Sequence, residues 1–236
     1  RGFTRIIGDK RIEALVPAQK LQVLTNRSEH ALAAGNTSGA LSPTNTRLED
    51  STYLGTPTCT QPVRTDDKTI FVQRDGQTVR LLADVRTADG FVSQILSRQA
   101  QHLIQDANVK ELAYTQAPFG LLWVVKTNGQ LLSLTYDTNN NTYGWAQHLL
   151  GGSFQGGAPR VISIATLYDG VKKYDMLHLL VHRTINGVDK YVLEVMEPPF
   201  INEGLGIEDA HFVDCGRNYV GVATNVASAS WLTGES

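Results

Sequence analysis

Short apolar runs separated by Asp-Gly or Asn-Gly pairs recur along this chain, at Asp75-Gly76, Asp89-Gly90, Asn128-Gly129, Asp169-Gly170 and Asn186-Gly187. Asn, Asp and Gly tolerate the positive φ that tight β-hairpin reversals require. A chain punctuated this way folds into antiparallel strands. The strongest instance is LLWVVKTNGQLLSLTY, Leu121 to Tyr136. A two-residue turn at Asn128-Gly129 predicts that Val125 faces Leu132, Trp123 faces Leu134 and Leu121 faces Tyr136. That face is strongly apolar. The other, with Leu122, Val124 and Lys126 against Thr135, Ser133 and Leu131, is mixed. Such a hairpin is covered on both sides, as in a sandwich or between propeller blades, with Trp123 in the core.

Composition excludes several classes. With 42% hydrophobic and 19% charged residues over 236 positions, the chain is ordinary for a folded globule. No apolar run approaches the roughly 20 residues of a membrane-spanning helix. Net charge is −2 and the pI is near 6.3. Lys and Arg are scattered without a basic stripe, which argues against tight phosphate binding. Cys59 and Cys215 sit in no metal-ligand spacing and are expected as free thiols from a reducing compartment. With no initiator Met and no signal-peptide pattern, the chain is expected to be part of a longer polypeptide.

In chain order, residues 12–34 read as three short strands, IEALV, LQVLTN and EHALAAG. Residues 35–60, rich in Gly, Ser, Thr, Asn and Pro, read as a long structured loop. Strands resume at Gln61–Arg64 and Thr69–Arg74, and Asp75-Gly76 turns into Gln77–Ala83. That register sets Val72 opposite Val79 and Ile70 opposite Leu81. One helix is expected near Ser97–Gln105, with Ser97 as N-cap and Ala100, Leu103 and Ile104 on one side. From Val109 a meander runs through Leu121–Thr127, Gln130–Asp137 and Trp145–Leu150. It continues through Val161–Leu167, Tyr174–Thr184 and Lys190–Met196, with a last strand at His211–Val213. Groups of about four strands, about 50 residues apart, match a propeller's blade period. Blades are predicted at about 61–92, 109–150 and 161–214, and a sandwich is the alternative.

No motif supplies a catalytic centre. His178 and His182 lie in a predicted strand, where four residues span roughly 13 Å, too far for one ion. GGSFQGG, Gly151 to Gly157, lacks the Lys and Ser/Thr of a phosphate loop and reads as a flexible connection. Glu203, Glu208, Asp209 and Asp214 form an acidic group that reads as surface loop rather than a glycosidase pair. No G-x-S-x-G occurs. Asn26-Arg27-Ser28, Asn36-Thr37-Ser38 and Asn140-Asn141-Thr142 match the glycosylation pattern, which is common by chance. No metal or cofactor is expected, and the chain is not expected to be an enzyme. Trp145, Tyr143 and Trp231 are the aromatic candidates for the alternative function, a host-surface glycan-binding module.

Several segments, in order, carry a resemblance. LSPTNT is followed by Tyr53-Leu54-Gly55, Pro62-Val63 and IFVQRDGQTVRLL. Then come LLWVVKTNGQLLSLTYDTNNNTYGWAQHLLGG, Leu121 to Gly152, and HRTINGVDKYVLEVMEP, His182 to Pro198. Together they resemble the nozzle, or tail tubular, proteins of short-tailed bacteriophages, over most of Leu15 to Gly234. The resemblance implies a β-propeller-based subunit, six copies of which ring the distal end of the tail and line the DNA exit channel. It implies a homohexamer in the virion tail, assembled in the host cytoplasm. Tail adaptor and other tail or fibre proteins would be its partners, and double-stranded DNA would pass without specific binding. Family members are longer, so further blades or a platform domain are expected. Within the loop 35–60, Ser42, Pro43, Asn45 and Tyr53 are the expected inter-subunit contacts, because the loop is longer than connection requires.

Overall fold

The computed structural model describes residues 10–200 apart from 19, 36–41, 43–44, 59, 66–67, 86–89, 138–141 and 198–199. The fold is all-β, with blade-like antiparallel sheets and one short helix. The first sheet contains β1 (Ile12–Val16), β2 (Leu21–Thr25), β3 (Glu29–Ala34) and β4 (Thr46–Thr52). The second contains β5 (Val63–Thr65), β6 (Lys68–Val72), β7 (Val79–Val85) and β8 (Gly90–Ile95). The third contains β9 (Val109–Thr115), β10 (Leu121–Lys126), β11 (Leu131–Asp137) and β12 (Thr142–His148). The fourth contains β13 (Arg160–Asp169), β14 (Tyr174–Ile185) and β15 (Val188–Met196). Within each sheet every strand pairs with its neighbour in sequence, the up-and-down order that short turns favour. The chain divides into two compact units, ending at Tyr114 and starting at Thr115.

In the first unit, the first two sheets share a core. Ala14, Val16 and Leu24 pack with Phe71 and Leu82, and Leu54 and Phe91 border them. Gln22, buried among them, accepts a hydrogen bond from Thr69 Oγ1 at 2.7 Å, which satisfies its amide oxygen. Between β8 and β9 lie a 3₁₀ turn, Arg98–Ala100, and helix α1, Gln101–Ile104. The helical stretch is shorter than its pattern suggests. Ser97 makes no side-chain cap; its Oγ instead accepts the Val79 N–H at 3.2 Å. The predicted loop 35–60 is also interrupted, because Thr46–Thr52 forms β4 beside β3.

In the second unit, the hairpin at Asn128-Gly129 exists, but its register differs by one residue from the expectation. Val125 pairs with Leu131, Trp123 with Ser133 and Leu121 with Thr135. The reason lies in the corner. Lys126 N–H donates to Gln130 O at 3.0 Å, and Lys126 O accepts from Gly129 N–H at 2.9 Å. The loop is therefore three residues, Thr127-Asn128-Gly129, with Gly129 alone in the left-handed region at φ +88°. Gly129 O accepts from Val161 N–H at 2.9 Å, which ties the corner to β13. Side-chain pattern could not oppose this shift, because both faces of the hairpin are buried from Leu122 to Lys126. Trp123 is in the core as expected, its Nε1 donating to Thr115 Oγ1 at 3.2 Å. The Asp75-Gly76 hairpin keeps its predicted register, Val72 with Val79 and Ile70 with Leu81.

Candidate functional site

The fourth sheet differs from the others in what its two faces meet. Along β14, Leu177, Leu179, Val181 and Arg183 are buried on the inner face. On the outer face, His178 pairs with Val195, Leu180 with Leu193 and His182 with Tyr191. Ala165 and Leu167 of β13 lie on that same outer face, opposite His178 and Met176. Leu193 is 70% exposed, Tyr191 64% and Leu167 58%. An apolar band across three strands therefore stands open to solvent. Monomeric proteins rarely leave large contiguous apolar patches uncovered.

One end of this face is built by the glycine-rich segment, which is held rather than loose. Thr184 N–H donates to Ser153 O at 2.7 Å, and Arg183 Nη1 donates to Gly151 O at 2.8 Å. These bonds lay the buried Phe154 ring against His182, with centroids 4.1 Å apart. His182 in turn stacks on Tyr191 at 4.1 Å, and the Arg160 guanidinium sits 5.5 Å from the Phe154 ring. Beside this stack, Asp189 accepts from Thr184 Oγ1 at 2.6 Å and from Gln155 Nε2 at 3.3 Å. Those two bonds hold its carboxyl below the ordinary carboxylate range. On the inner face, Arg183 pairs with Glu194 at 2.7 Å.

The sequence-predicted contact residues are not brought together in one patch. Ser42 and Asn45 close a small turn, in which Asn45 N–H donates to Ser42 O at 3.0 Å, just before β4. Tyr53 follows the far end of β4 and is exposed, with Lys10 Nζ 5.3 Å from its ring centroid. A seven-residue strand, about 23 Å long, separates the two positions. Pro43 lies outside the described residues, as do Cys59, the acidic group Glu203 to Asp214, Cys215 and Trp231. Of the aromatic candidates, Tyr143 is half-buried against Tyr136, 5.5 Å between centroids, and Trp145 is half-buried in β12. His178 and His182 do lie on a strand. Among the described residues no group of His, Cys, Asp and Glu is arranged to hold a metal ion.

The first unit holds a buried carboxylate that sequence reading did not single out. Glu29 Oε2 accepts from Thr52 Oγ1 at 2.6 Å and from Leu54 N–H at 3.2 Å. Its Oε1 is buried without a hydrogen-bond partner. Burial pushes the Glu29 carboxyl above its ordinary value near 4.5, against the opposing pull of those hydrogen bonds and of Arg80. Burial also lowers the Arg80 guanidinium, against the pull of Asp75 and Glu29. The carboxyl clamps the segment after β4 onto β3. No protein-family model matches this chain, and no curated protein matches it in sequence.

Proposed function

We propose that this chain is a structural subunit of a bacteriophage tail nozzle, a homohexameric ring through which double-stranded DNA leaves the tail. The observation that carries this reading is the order of the motifs that resemble the nozzle family. IFVQRDGQTVRLL falls on the β6–β7 hairpin, Leu121 to Gly152 on β10 to β12, and His182 to Pro198 on β14 and β15. The resemblance therefore follows consecutive hairpins of successive sheets, the parts that define a blade.

Two further features support it. The exposed apolar face of the fourth sheet suits a protein whose work is assembly. A net charge of −2 without a basic stripe suits a wall past which DNA must slide, because each neutralised phosphate would add affinity and slow passage. Tail adaptor and fibre proteins are the further partners on this reading. Light scattering on the purified full-length protein, with negative-stain imaging, tests it. Six-fold rings are expected, and a protein that stays monomeric at high concentration would refute the reading.

A further inference from the structure

We propose that Asn186 is a site of covalent modification, its side-chain amide lost through attack by the backbone nitrogen of Gly187, and that the fold spares the identical pair Asn128-Gly129. The chain contains these two Asn-Gly pairs and no other. Asparagine amides are among the thermolabile groups of proteins. A following glycine has no Cβ to hold its nitrogen away from the asparagine Cγ. Reaction still needs a free N–H, an unheld side chain and room for the backbone to close a ring. At Asn186-Gly187 all three are met. Both residues are exposed. The strand ladder ends at the pair Ile185 and Val188, which leaves the two turn residues outside it. Among the described residues the Gly187 N–H donates to no acceptor, and nothing bonds the Asn186 side chain. A Cβ on Gly187 would meet nothing within 4 Å, so the turn has space to rearrange.

The Asn128-Gly129 corner meets none of the three. Gly129 is buried, and its N–H donates to Lys126 O at 2.9 Å. Asn128 Oδ1 accepts from Gln130 N–H at 3.1 Å, which ties the side-chain amide into the loop. A Cβ on Gly129 would fall 2.6 Å from Arg160 Cβ, so the backbone cannot swing there without moving β13.

The chemistry needs only water. Hydroxide takes the proton from Gly187 N, and that nitrogen bonds to Asn186 Cγ. The bond from Cγ to Nδ2 breaks, and ammonia leaves with a proton from water. Water then opens the five-membered imide at one of its two carbonyls, giving aspartate or isoaspartate. One water is consumed, one ammonia is released, and nothing is oxidised or reduced. Either product adds a carboxylate close to Asp189, which Thr184 and Gln155 hold in place. The isoaspartyl product also inserts a carbon into the main chain of a two-residue turn. The pair Ile185 and Val188 must then shift. The inference stands on the geometry of the two turns and is independent of the nozzle reading.

Incubation of the full folded chain at mildly alkaline pH, followed by digestion and peptide mass spectrometry, tests the proposal. A parallel sample is held unfolded in urea. In the folded chain the peptide containing Asn186 is expected to gain one mass unit and to separate into aspartyl and isoaspartyl forms. The peptide containing Asn128 is expected to react about tenfold or more slowly, because a hydrogen-bonded and packed corner reacts only when it opens. In urea the two rates are expected to converge. Equal rates in the folded chain overturn the proposal. So does an Asn186 that stays intact in the folded chain while it converts in urea. Asn186→Gly tolerates the positive φ of the turn and removes the reactive amide. A mass gain that persists in that peptide of the variant also overturns the assignment. Converted protein, separated from unconverted by charge, is expected to exchange amides faster at residues 184–189, and equal exchange would overturn the shift of the Ile185 and Val188 pair.

Discussion

At the scale of single residues, two glycines show how much the surroundings add to a shared backbone requirement. Gly187 follows Asn186 in a two-residue turn, and both take positive φ, +73° and +52°. A Cβ on Gly187 would meet nothing within 4 Å. Gly187→Ala is expected to cost about 1 kcal/mol of left-handed strain alone. Gly129, at φ +88°, would place its Cβ 2.6 Å from Arg160 Cβ and 2.9 Å from Arg160 Cα. Gly129→Ala is therefore expected to cost about 3 kcal/mol or more in urea unfolding, since β13 must also move. Glu29 gives the pH prediction. Its folded carboxyl holds a proton more tightly than the unfolded one, so the stability it contributes is full below its ordinary value near 4.5. That contribution is lost as pH rises through the raised folded value. Glu29→Gln keeps an acceptor for Thr52 and Leu54. It is expected to flatten the fall in melting temperature between acid and neutral pH, and an unchanged pH profile would contradict this.

At the scale of elements, the two Asn-Gly corners diverge because their neighbours do. At Asn186-Gly187 a Cβ on the glycine would meet nothing within 4 Å, and the intrinsic two-residue turn forms. Asn128-Gly129 is drawn toward β13 through the bond from Val161 N–H to Gly129 O. There the turn takes the longer loop and shifts the register. The glycine-rich segment makes the same point. Its composition reads as slack chain, yet Arg183 and the backbone of Thr184 fasten it to β14. Arg183→Ala is expected to cost about 1–2 kcal/mol by removing the bond to the Gly151 carbonyl and the pairing with the Glu194 carboxylate. Faster amide exchange should follow at residues 151–157, with little change in the β10–β11 hairpin. Equal acceleration in both would mean that Arg183 supports the whole unit instead of this segment.

At the scale of the whole molecule, the unsatisfied surface decides behaviour. The inner faces of the sheets account for their own apolar residues, but Leu167, Tyr191 and Leu193 remain open. A protein carrying such a face is expected to assemble at micromolar concentration or to aggregate when assembly is blocked. Duplex DNA is expected to give no mobility shift even at about 50 mM salt, where phosphate contacts are strongest. A tight shift that salt abolishes would show a basic surface that the scattered Lys and Arg do not suggest.

The sequence by itself determined most of the strands, most of the reversals and the burial of Trp123. These follow from local turn chemistry and from a side-chain period that nothing distant can change. The register at Val72 and Val79 was legible for the same reason. The second register, the strand hidden in Thr46–Thr52, the bond that diverts Ser97 from capping and the burial of Glu29 were not legible. Each depends on a partner far away in the chain. The alternation in β15 shows the limit most simply. Tyr191, Leu193 and Val195 alternate with Val192, Glu194 and Met196, and both sets are largely apolar. Only the packing of β14 against its neighbours chose which set is left outside.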